Sequence, residues 1–471
     1  MMFRLYCSKL AVPSLLLLFA LSSCTERKPL VFIYPDSLIP EKFHNYSHFG
    51  DQTTEYGLDQ LFVNLLRASP HVTSDASKAD YFYMDAWFMY RVPEPPHNGV
   101  RISNDDFRDL IGLVKGYGPY WDRKGGADHI FALSNDDGRC LYLDVKEVSK
   151  AIFLTHWGRI GLSDDGVNKN CNLLDRWGAE CDPTMRMAQV ALSAEPYGKD
   201  GWFPCHIPGQ DIVVPATFAE AYVPTPDGRH QHTKKVRTPY LHDDLKGLPR
   251  DKLLFYSGKI DWAKDMPEFK DKPWIYAGYS NGARQTVYRL FANNPHMALN
   301  AKHTYESYWK QLSTAIFGVA AAGYGHGGRF KVCATRGCIP VLIQDGIRHE
   351  FEDQIEIEKY SLRIPTWFTH KLEDVLILFN QSGRVGEMQK ALDCAWRFHW
   401  WRRGDGKGGE QGMGGGEGEG RAFEIIMCEL KRRLLEPNVK RRRLDVDFDK
   451  CTIDCGDGVK INLRDMKQIG V

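Results

Sequence analysis

The chain has 471 residues, of which 43% are hydrophobic, so it is long enough for two or three packed domains and we expect a globular protein. Its formal net charge of +1 provides no overall field that would attract nucleic acid or an anionic membrane surface. Any site for an anion must therefore be built locally.

The N-terminus places Arg4 and Lys9 ahead of an apolar run from Leu10 to Leu21. This run is about half of the roughly 20 residues that a spanning helix needs, so its length is typical of a cleavable signal peptide. Residues 21–24 also resemble a bacterial lipoprotein cleavage site. We predict entry into a secretory route, with residues 1–27 serving as a signal anchor or as a signal peptide with a short stem.

Twelve cysteines fit an oxidising compartment. Local bridges are predicted within two groups, Cys171 with Cys181 or Cys205, and Cys451 with Cys455. Cys333 and Cys338 are instead predicted to pack as small buried hydrophobes.

Strands and helices alternate along the first half of the chain. Strands are predicted at 30–34, 79–88, 151–157 and 211–214, and after a turn at 120–131; helices are predicted at about 58–66 and 106–115. This alternation predicts a doubly wound parallel sheet.

The segment from Tyr222 to Arg250 is rich in Pro, His, Asp and Gly and is interpreted as a crossing between two domains. A second α/β unit begins near Leu253. Helices are predicted at about 371–379, 386–401 and 422–435, whereas 404–420 is so rich in Gly and Glu that we predict a disordered insertion.

The stretch from Ser313 to Asp353 contains the most informative pattern. It is interpreted as a helix end, a glycine turn, a second helical run and a buried strand from Cys338 to Ile343. Free N–H groups at a helix N-terminus favour a phosphate, and Arg329 directly after the glycines could add a charge-assisted contact. An ordinary glycine loop fits the spacing at least as well.

Several longer motifs go further. They are FGVAAAGYGHGGR at 317–329, GCIPVLIQDG at 337–346, EFED at 350–353, ADYFY at 79–83, WDRKGGADHIF at 121–131, PGQDIVVP at 208–215 and YSNGARQ at 279–285. Together they resemble the exostosin-like glycosyltransferases of glycosyltransferase family 47, and the last of them is similar to green-algal members.

The resemblance implies an α/β fold of the GT-B type, with two Rossmann-like domains facing a cleft. It implies an N-terminal acceptor domain over 28–245 and a C-terminal nucleotide-sugar domain over 246–403. The insertion at 404–420 and a C-terminal helix and tail over 421–471 follow.

The resemblance also implies the donor site. Arg284 and Arg329 match the donor-binding arginines of the family and are assigned to the diphosphate, with Gly325, Gly327 and Gly328 forming the turn around it. Fixed cations can stabilise a leaving diphosphate without a metal ion.

Three acids follow the buried strand, Glu350, Glu352 and Asp353. Glu352 matches the PFED segment of the family best and is the candidate for holding a sugar hydroxyl, although acidic loop residues are as often only solvated. Val332 departs from the family, which commonly has a glutamate there that is suited to the ribose hydroxyls. Valine accepts no such hydrogen bond, so this position puts donor affinity or activity in question.

An inverting transfer needs a base that takes the proton of the acceptor hydroxyl. His129 and Asp137 are the candidates, with Asp128 and Asp136 at the same strand end. His129 and Asp128 could equally stabilise the turn, an interpretation that we prefer for Asp128.

Asp445 and Asp447 imitate the DxD metal motif of the other main glycosyltransferase fold. They lie near the C-terminus, without a nucleotide-binding unit around them, so coincidence is the better explanation. We predict transfer without a metal ion or cofactor; a metal-dependent enzyme of the other fold is the competing hypothesis.

We therefore predict an inverting glycosyltransferase of the Golgi lumen that moves a sugar from a nucleotide sugar, with a UDP-sugar favoured, to a cell-wall or extracellular-matrix glycan or glycoprotein. The N-terminal segment would hold it to the Golgi membrane, or would release it for secretion after cleavage. Oligomers with itself or with another transferase are left open, and no nucleic acid is expected. The alternative is a catalytically silent member that binds glycan or stabilises a partner transferase.

Overall fold

The computed structural model describes residues 27–40, 43, 57–86, 89–90, 100–101, 103–135, 138–160, 206–217, 222–224, 230–232, 247–258, 260, 280, 283–300, 305–321, 328–344, 346–401, 420–439, 443–458 and 460–465. Within these ranges no helix is long and apolar enough to cross a membrane. The predicted leader, the acidic pair at 136–137, the glycine turn at 323–327 and the insertion up to residue 419 lie outside them.

The first unit is built around a five-stranded sheet. Its elements are β1 (Val31–Ile33), α1 (Leu58–Arg67), β2 (Tyr81–Tyr83), β3 (Met89–Tyr90), β4 (Val100–Arg101), α2 (Asn104–Tyr117), β5 (His129–Leu133), β6 (Ile152–Thr155), β7 (Gly158–Arg159) and β8 (Ile212–Val213). Strands β1, β2, β5, β6 and β8 are neighbours in that order, and every pair is parallel. The apolar face of α1, predicted from its spacing, is buried against this sheet.

Helix α2 shows how the sequence sets an element boundary. Ser103 accepts a hydrogen bond from the backbone N–H of Asp106, whose side chain accepts one from the backbone N–H of Ser103. This capping box satisfies two orphan donors of the first turn and fixes where the helix begins. The buried side chains of Phe107, Leu110 and Val114 then face the core at helical spacing.

The second unit has its own parallel five-stranded sheet. The elements from the crossing onward are β9 (Tyr222–Pro224), β10 (His230–His232), β11 (Lys252–Ser257), α3 (Ala283–Phe291), β12 (Met297–Asn300), α4 (Tyr305–Thr314), β13 (Ala315–Ala320), α5 (Arg329–Thr335), β14 (Ile339–Leu342), β15 (Ile347–Arg348), β16 (Leu362–Arg363), α6 (Leu372–Gln381) and α7 (Arg384–Ala395). The sheet order is β12-β11-β13-β14-β16, so the chain reverses direction across the sheet between β11 and β13. In open α/β sheets such a switch point is where ligands bind. Two parallel α/β sheets confirm the predicted fold class.

One element of the glycine-rich stretch was predicted wrongly. Residues Ala315–Ala320, interpreted as a helix end, form the buried central strand β13. A short apolar run with several alanines has the same periodicity in either state, and only its pairing with β11 and β14 decides the outcome.

The carboxyl ends of the two sheets meet. Strands β7 and β15 pair in antiparallel fashion across the units, and the N–H of Phe351 donates to the Val213 carbonyl at 2.8 Å. Lys331 Nζ donates to the Ala216 carbonyl at 2.7 Å. The loops that follow β8 and β14 therefore face each other across the junction.

The end of the chain returns to the first unit. Helix α8 (Ala422–Leu435) receives a hydrogen bond from the Tyr81 hydroxyl at the Leu430 carbonyl, and Arg433 donates to the Gln210 carbonyl. A small antiparallel sheet follows, formed by β17 (Asp445–Asp447), β18 (Thr452–Asp454) and β19 (Lys460–Asn462).

Two disulfides hold this small sheet. They are Cys394–Cys451 and Cys428–Cys455, so the predicted bridge between Cys451 and Cys455 is wrong. Proximity in sequence was misleading because each sulfur faces a helix rather than its neighbour in the chain. Cys333 and Cys338 are reduced and buried, as predicted. Cys171, Cys181 and Cys205 lie outside the described residues.

Candidate functional site

Two arginines converge at the switch point of the second sheet. The guanidinium carbon of Arg329 lies 4.9 Å from the centre of the Tyr256 ring, and that of Arg284 lies 5.9 Å from the same ring. Tyr256 is near the carboxyl end of β11, and Arg284 also donates to the carbonyl of Ala321, directly after β13, at 3.0 Å. Two like charges gathered at one point favour an anion between them.

The local sequence explains how each arginine is held. The hydroxyl of Ser280 accepts a hydrogen bond from the N–H of Arg284 and donates to Gln285 Oε1, which fixes the start of α3. Gly258 leaves room for Arg329, because a Cβ at that position would lie 1.9 Å from Arg329 Nη2. Helix α5 has only seven residues, so the guanidinium of Arg329 carries this site rather than the helix dipole.

The residues that follow Arg329 point away from it. Val332 belongs to an apolar cluster with Phe255 and Trp309. Lys331 reaches the Ala216 carbonyl of the first unit, and its ammonium also lies 4.9 Å from the ring of Trp400, which follows α7. Val332 is therefore a core residue in this structure.

Both carboxylate oxygens of Glu352 accept hydrogen bonds from the protein. One carboxylate oxygen accepts from Arg348 at 2.7 Å, and the other accepts from Arg363 at 2.6 Å and from the N–H of His349 at 2.9 Å. Burial alone would raise the pKa of Glu352, but Arg363 and Arg348 outweigh it and lower the pKa to about 2. This environment holds the loop together, and the assignment of Glu352 to a sugar hydroxyl stays a prediction.

The other two acids of the loop differ. Asp353 accepts from His206 Nε2 at 2.7 Å and lies 3.3 Å from Arg348 Nε, so it ties the loop to the first unit. Glu350 is only 6% exposed, and its Oε2 lies 3.5 Å from His399 Nδ1. Among the residues that the structure describes, none forms a hydrogen bond with this oxygen.

Glu350 lines a narrow crevice between the two units. The cavity measures about 20 Å³ and is lined by His156, Trp157, Val214 and Ala216 from the first unit and by Gln344, Ile347, Arg348, His349 and Glu350 from the second. His349 is buried here, stacked on Phe330 at 5.4 Å between ring centres, and burial together with the charge of Arg363 lowers its pKa to about 3. His349 is therefore neutral at physiological pH.

His129 is placed at the amino end of β5, not at its carboxyl end. Its ring nitrogens contact Asp128 Oδ1 and the Tyr34 hydroxyl, each at 2.9 Å, and the ring stacks on Phe82. Asp128 also accepts from Arg123 at 2.8 Å, which fits its predicted role in the turn. The assignment of His129 as the base stays a prediction that this enclosed position does not favour. Asp137, the other candidate, lies outside the described residues, as do Gly325 and Gly327, whereas Gly328 immediately precedes α5.

The aspartates of the DxD imitation lie on β17. Asp445 lies 3.9 Å from Lys460, and Asp447 lies 3.6 Å from Lys450. Strand β17 is at the edge of the small C-terminal sheet, outside both five-stranded sheets.

Sequence reasoning missed Tyr256 and Gly258. Both lie in the stretch where the second α/β unit was predicted to begin, and neither was given a role. A usable signal was present, because a glycine directly after the first strand of an α/β unit often marks close approach of backbone to ligand or side chain.

Comparisons with known proteins give one consistent group of relatives. A probable glucuronosyltransferase of Oryza sativa subsp. japonica is 23% identical over 67% of this chain, and one of Physcomitrium patens is 24% identical over 77%. A probable β-1,4-xylosyltransferase of Arabidopsis thaliana is 23% identical over 67%. The matches span 63%, 68% and 64% of the lengths of these relatives.

Among solved structures, the match to a chain of the GtfA/B complex covers 64% of this protein and 58% of the GtfA/B chain, at 12% identity and a TM-score of 0.25. The match to a putative UDP-N-acetylglucosamine 2-epimerase from Listeria monocytogenes covers 79% of this chain and 96% of the epimerase chain, at 11% identity and a TM-score of 0.28. The model of the Exostosin GT47 domain matches residues 25–376, which is most of the chain. The chain therefore belongs to the exostosin GT47 family.

Proposed function

We propose that this protein is an inverting glycosyltransferase that binds a nucleoside diphosphate sugar in the second unit and transfers its sugar to a glycan held by the first. The observation that carries the proposal is the convergence of Arg284 and Arg329 on Tyr256 at the switch point. Family membership supports it, because the relatives are named as glucuronosyl- and xylosyltransferases.

The proposed chemistry is electrostatic. When the bond between the sugar and the diphosphate breaks, negative charge grows on the leaving group, and two fixed guanidiniums stabilise it there more than in the substrate. We propose that this suffices without a metal ion. Activity that survives EDTA would support this part, and activity that is lost with EDTA and restored by Mn²⁺ would overturn it.

Calorimetric titration of the folded protein with UDP tests the donor site. Arg329→Ala and Arg284→Ala should each weaken binding by about tenfold or more, since a charge-assisted contact contributes roughly 1.5–3 kcal/mol. Arg384→Ala, which removes an exposed arginine at the start of α7, should leave binding unchanged. A screen of UDP-xylose and UDP-glucuronic acid for release of UDP would then identify the donor.

The acceptor is proposed to be a cell-wall or matrix glycan and the location to be the Golgi membrane. Imaging of a C-terminal fluorescent fusion with a Golgi marker, and its appearance in the medium or in membranes, tests the location. Incubation with xylan and with pectic and glycoprotein acceptors tests the substrate.

A catalytically silent, glycan-binding member is the second candidate, and it rests on Val332, which packs in the apolar cluster with Phe255 and Trp309 where the family commonly has a glutamate. A folded protein that does not bind UDP but binds glycan would support this candidate. UDP binding with turnover would exclude it.

A further inference from the structure

The acidic loop after β14 contains a buried carboxylate oxygen whose hydrogen bonding the described residues leave unsatisfied. Glu352 and Asp353 are both neutralised by cationic or histidine partners, as described above. Glu350 is equally buried, yet its Oε2 lies 3.5 Å from His399 Nδ1 and forms no hydrogen bond with any described residue. Buried polar atoms are normally satisfied, so a carboxylate left in this state indicates an absent ligand.

The surroundings of Glu350 indicate which ligand this is. The crevice that it lines opens between the carboxyl edges of the two sheets, with His156 and Ala216 of the first unit opposite. Beside it, the Nε2 atom of His349 is also buried without a hydrogen bond from or to any described residue. A neutral imidazole and a carboxylate side by side match the hydroxyl groups of a sugar, which both donate and accept.

The crevice lies beside the helix that carries Arg329. Phe330, the residue next to Arg329 in α5, stacks on His349 and contacts the ring of His399 at 4.8 Å between centres. The crevice residues His349 and Glu350 and the donor-site residue Arg329 are therefore grouped around one short helix, α5.

We propose that Glu350 is the general base of the transfer reaction and that the crevice holds the acceptor hydroxyl. This inference rests on the proposed function. It departs from the assignment of His129 or Asp137 to this role.

The proposed step needs no reactant besides the donor and the acceptor. The acceptor hydroxyl gives its proton to the Glu350 carboxylate while its oxygen forms a bond to the anomeric carbon. The bond from that carbon to the diphosphate oxygen breaks, and its electron pair leaves on the diphosphate beside Arg284 and Arg329. Attack from the side opposite the leaving group inverts the anomeric configuration.

His399 acts as a positioning residue. Its Nε2 lies 3.0 Å from the Tyr360 hydroxyl, and its Nδ1 faces Glu350. When Tyr360 donates to Nε2, the ring proton lies on Nδ1, the nitrogen that faces the carboxylate. The two atoms are 3.5 Å apart and form no hydrogen bond, so His399 orients the carboxylate by electrostatic attraction.

The test compares Glu350→Gln with Glu356→Gln, a neighbouring acid that is half exposed and pairs with Lys359. UDP affinity is measured by calorimetry, and release of UDP is measured with the donor that the wild type uses and its glycan acceptor. Glu350→Gln should bind UDP within about twofold of the wild type and lower kcat by about 100-fold or more. Glu356→Gln should change neither quantity.

Azide distinguishes a base from a structural residue, because azide attacks without losing a proton. Glu350→Ala should form a glycosyl azide of inverted configuration from the donor, while Glu356→Ala should not gain this product. Thermal unfolding verifies that Glu350→Ala is folded; if it is not, Glu350→Asp replaces it and should retain partial transfer. His399→Leu should lower kcat without changing KM, and His399→Asn, which keeps a donor, should recover part of the loss.

The outcomes separate the two proposals. A wild type that neither binds UDP nor turns over overturns the proposed function and the base with it. An active wild type with transfer by Glu350→Gln within fivefold overturns only the base. The base is likewise overturned if Asp137→Asn or His129→Gln abolishes turnover and is rescued by azide while Glu350→Ala is not.

Discussion

Gly258 controls the position of the arginine that carries the donor site. A methyl group there would lie 1.9 Å from Arg329 Nη2, so Gly258→Ala must displace the guanidinium from Tyr256. We expect about a tenfold to hundredfold loss of UDP affinity. Some stability is lost as well, because the φ of +158° at Gly258 is one that alanine rarely adopts.

Calorimetry with UDP and thermal unfolding measure the two effects. Gly116→Ala is the control, since a Cβ in that part of α2 meets nothing within 4 Å. Unchanged affinity in Gly258→Ala would mean that Arg329 does not contact the diphosphate.

The stabilisation that Glu352 gives to the acidic loop depends on pH. Its folded pKa of about 2 lies below the ordinary value of 4.5, so its stabilisation is complete above pH 4.5 and is lost as the pH falls towards 2. Glu352→Gln should lower the free energy of unfolding by about 3–5 kcal/mol at pH 7, because it leaves Arg363 buried without its partner.

Urea unfolding at a series of pH values from 7 to 2.5 tests this. The difference between wild type and Glu352→Gln should be largest above pH 4.5 and should shrink below it. A difference that stays constant with pH would show that packing, not the ionised carboxylate, accounts for the effect.

At the scale of elements, the pairing of β7 with β15 joins the two units. At Gly158 a Cβ would lie 2.4 Å from the Arg348 carbonyl and 2.6 Å from a methyl of Val213. Backbone cannot yield as a side-chain tip does, so Gly158→Ala should force the strands apart and cost about 1–3 kcal/mol or more.

Thermal unfolding and limited proteolysis at the junction measure this cost. Gly386→Ala is the matched control: it lies in α7 in open space and should stabilise by roughly 0.5–1 kcal/mol. Equal melting temperatures for Gly158→Ala and the wild type would show that the pairing is dispensable.

Elements with a strong local signal were predictable from the sequence. Helix α1 could be located from its apolar spacing, and α2 from its capping residues and apolar face. Strand β13 could not be predicted, because whether this run forms a strand or a helix depends on its pairing with β11, which lies more than 55 residues away in the sequence. At the site, Arg284 and Arg329 could be named from a motif. Which of the two glutamates of the acidic loop is paired with arginine could not be predicted, because Arg348 and Arg363 both donate to Glu352 and no local sequence pattern indicates this.

At the scale of the whole molecule, two disulfides hold the C-terminal sheet to helices α7 and α8. Three short strands bury little apolar surface, so this sheet depends on its cross-links. The bridge Cys428–Cys455 closes a separation of 27 residues, and its removal should cost roughly 4 kcal/mol.

The double change Cys428→Ser with Cys455→Ser avoids a leftover thiol. Hydrogen exchange should become faster in β18 and β19 and stay unchanged in β11 and β13. Exchange that rises equally in both regions would show that the C-terminal sheet unfolds only together with the rest.

The return of α8 to the first unit has a consequence for how the protein is made. During synthesis the first unit leaves the ribosome more than 200 residues before Leu430, the residue whose carbonyl receives the Tyr81 hydroxyl. Its surface around Tyr81 and Gln210 must stay uncovered until α8 has been synthesised. A chimaera that exchanges only the N-terminal half between relatives would separate the surface around Tyr81 and Gln210 from the helix α8 that packs on it. The exchanged piece should therefore include α8 together with the first unit.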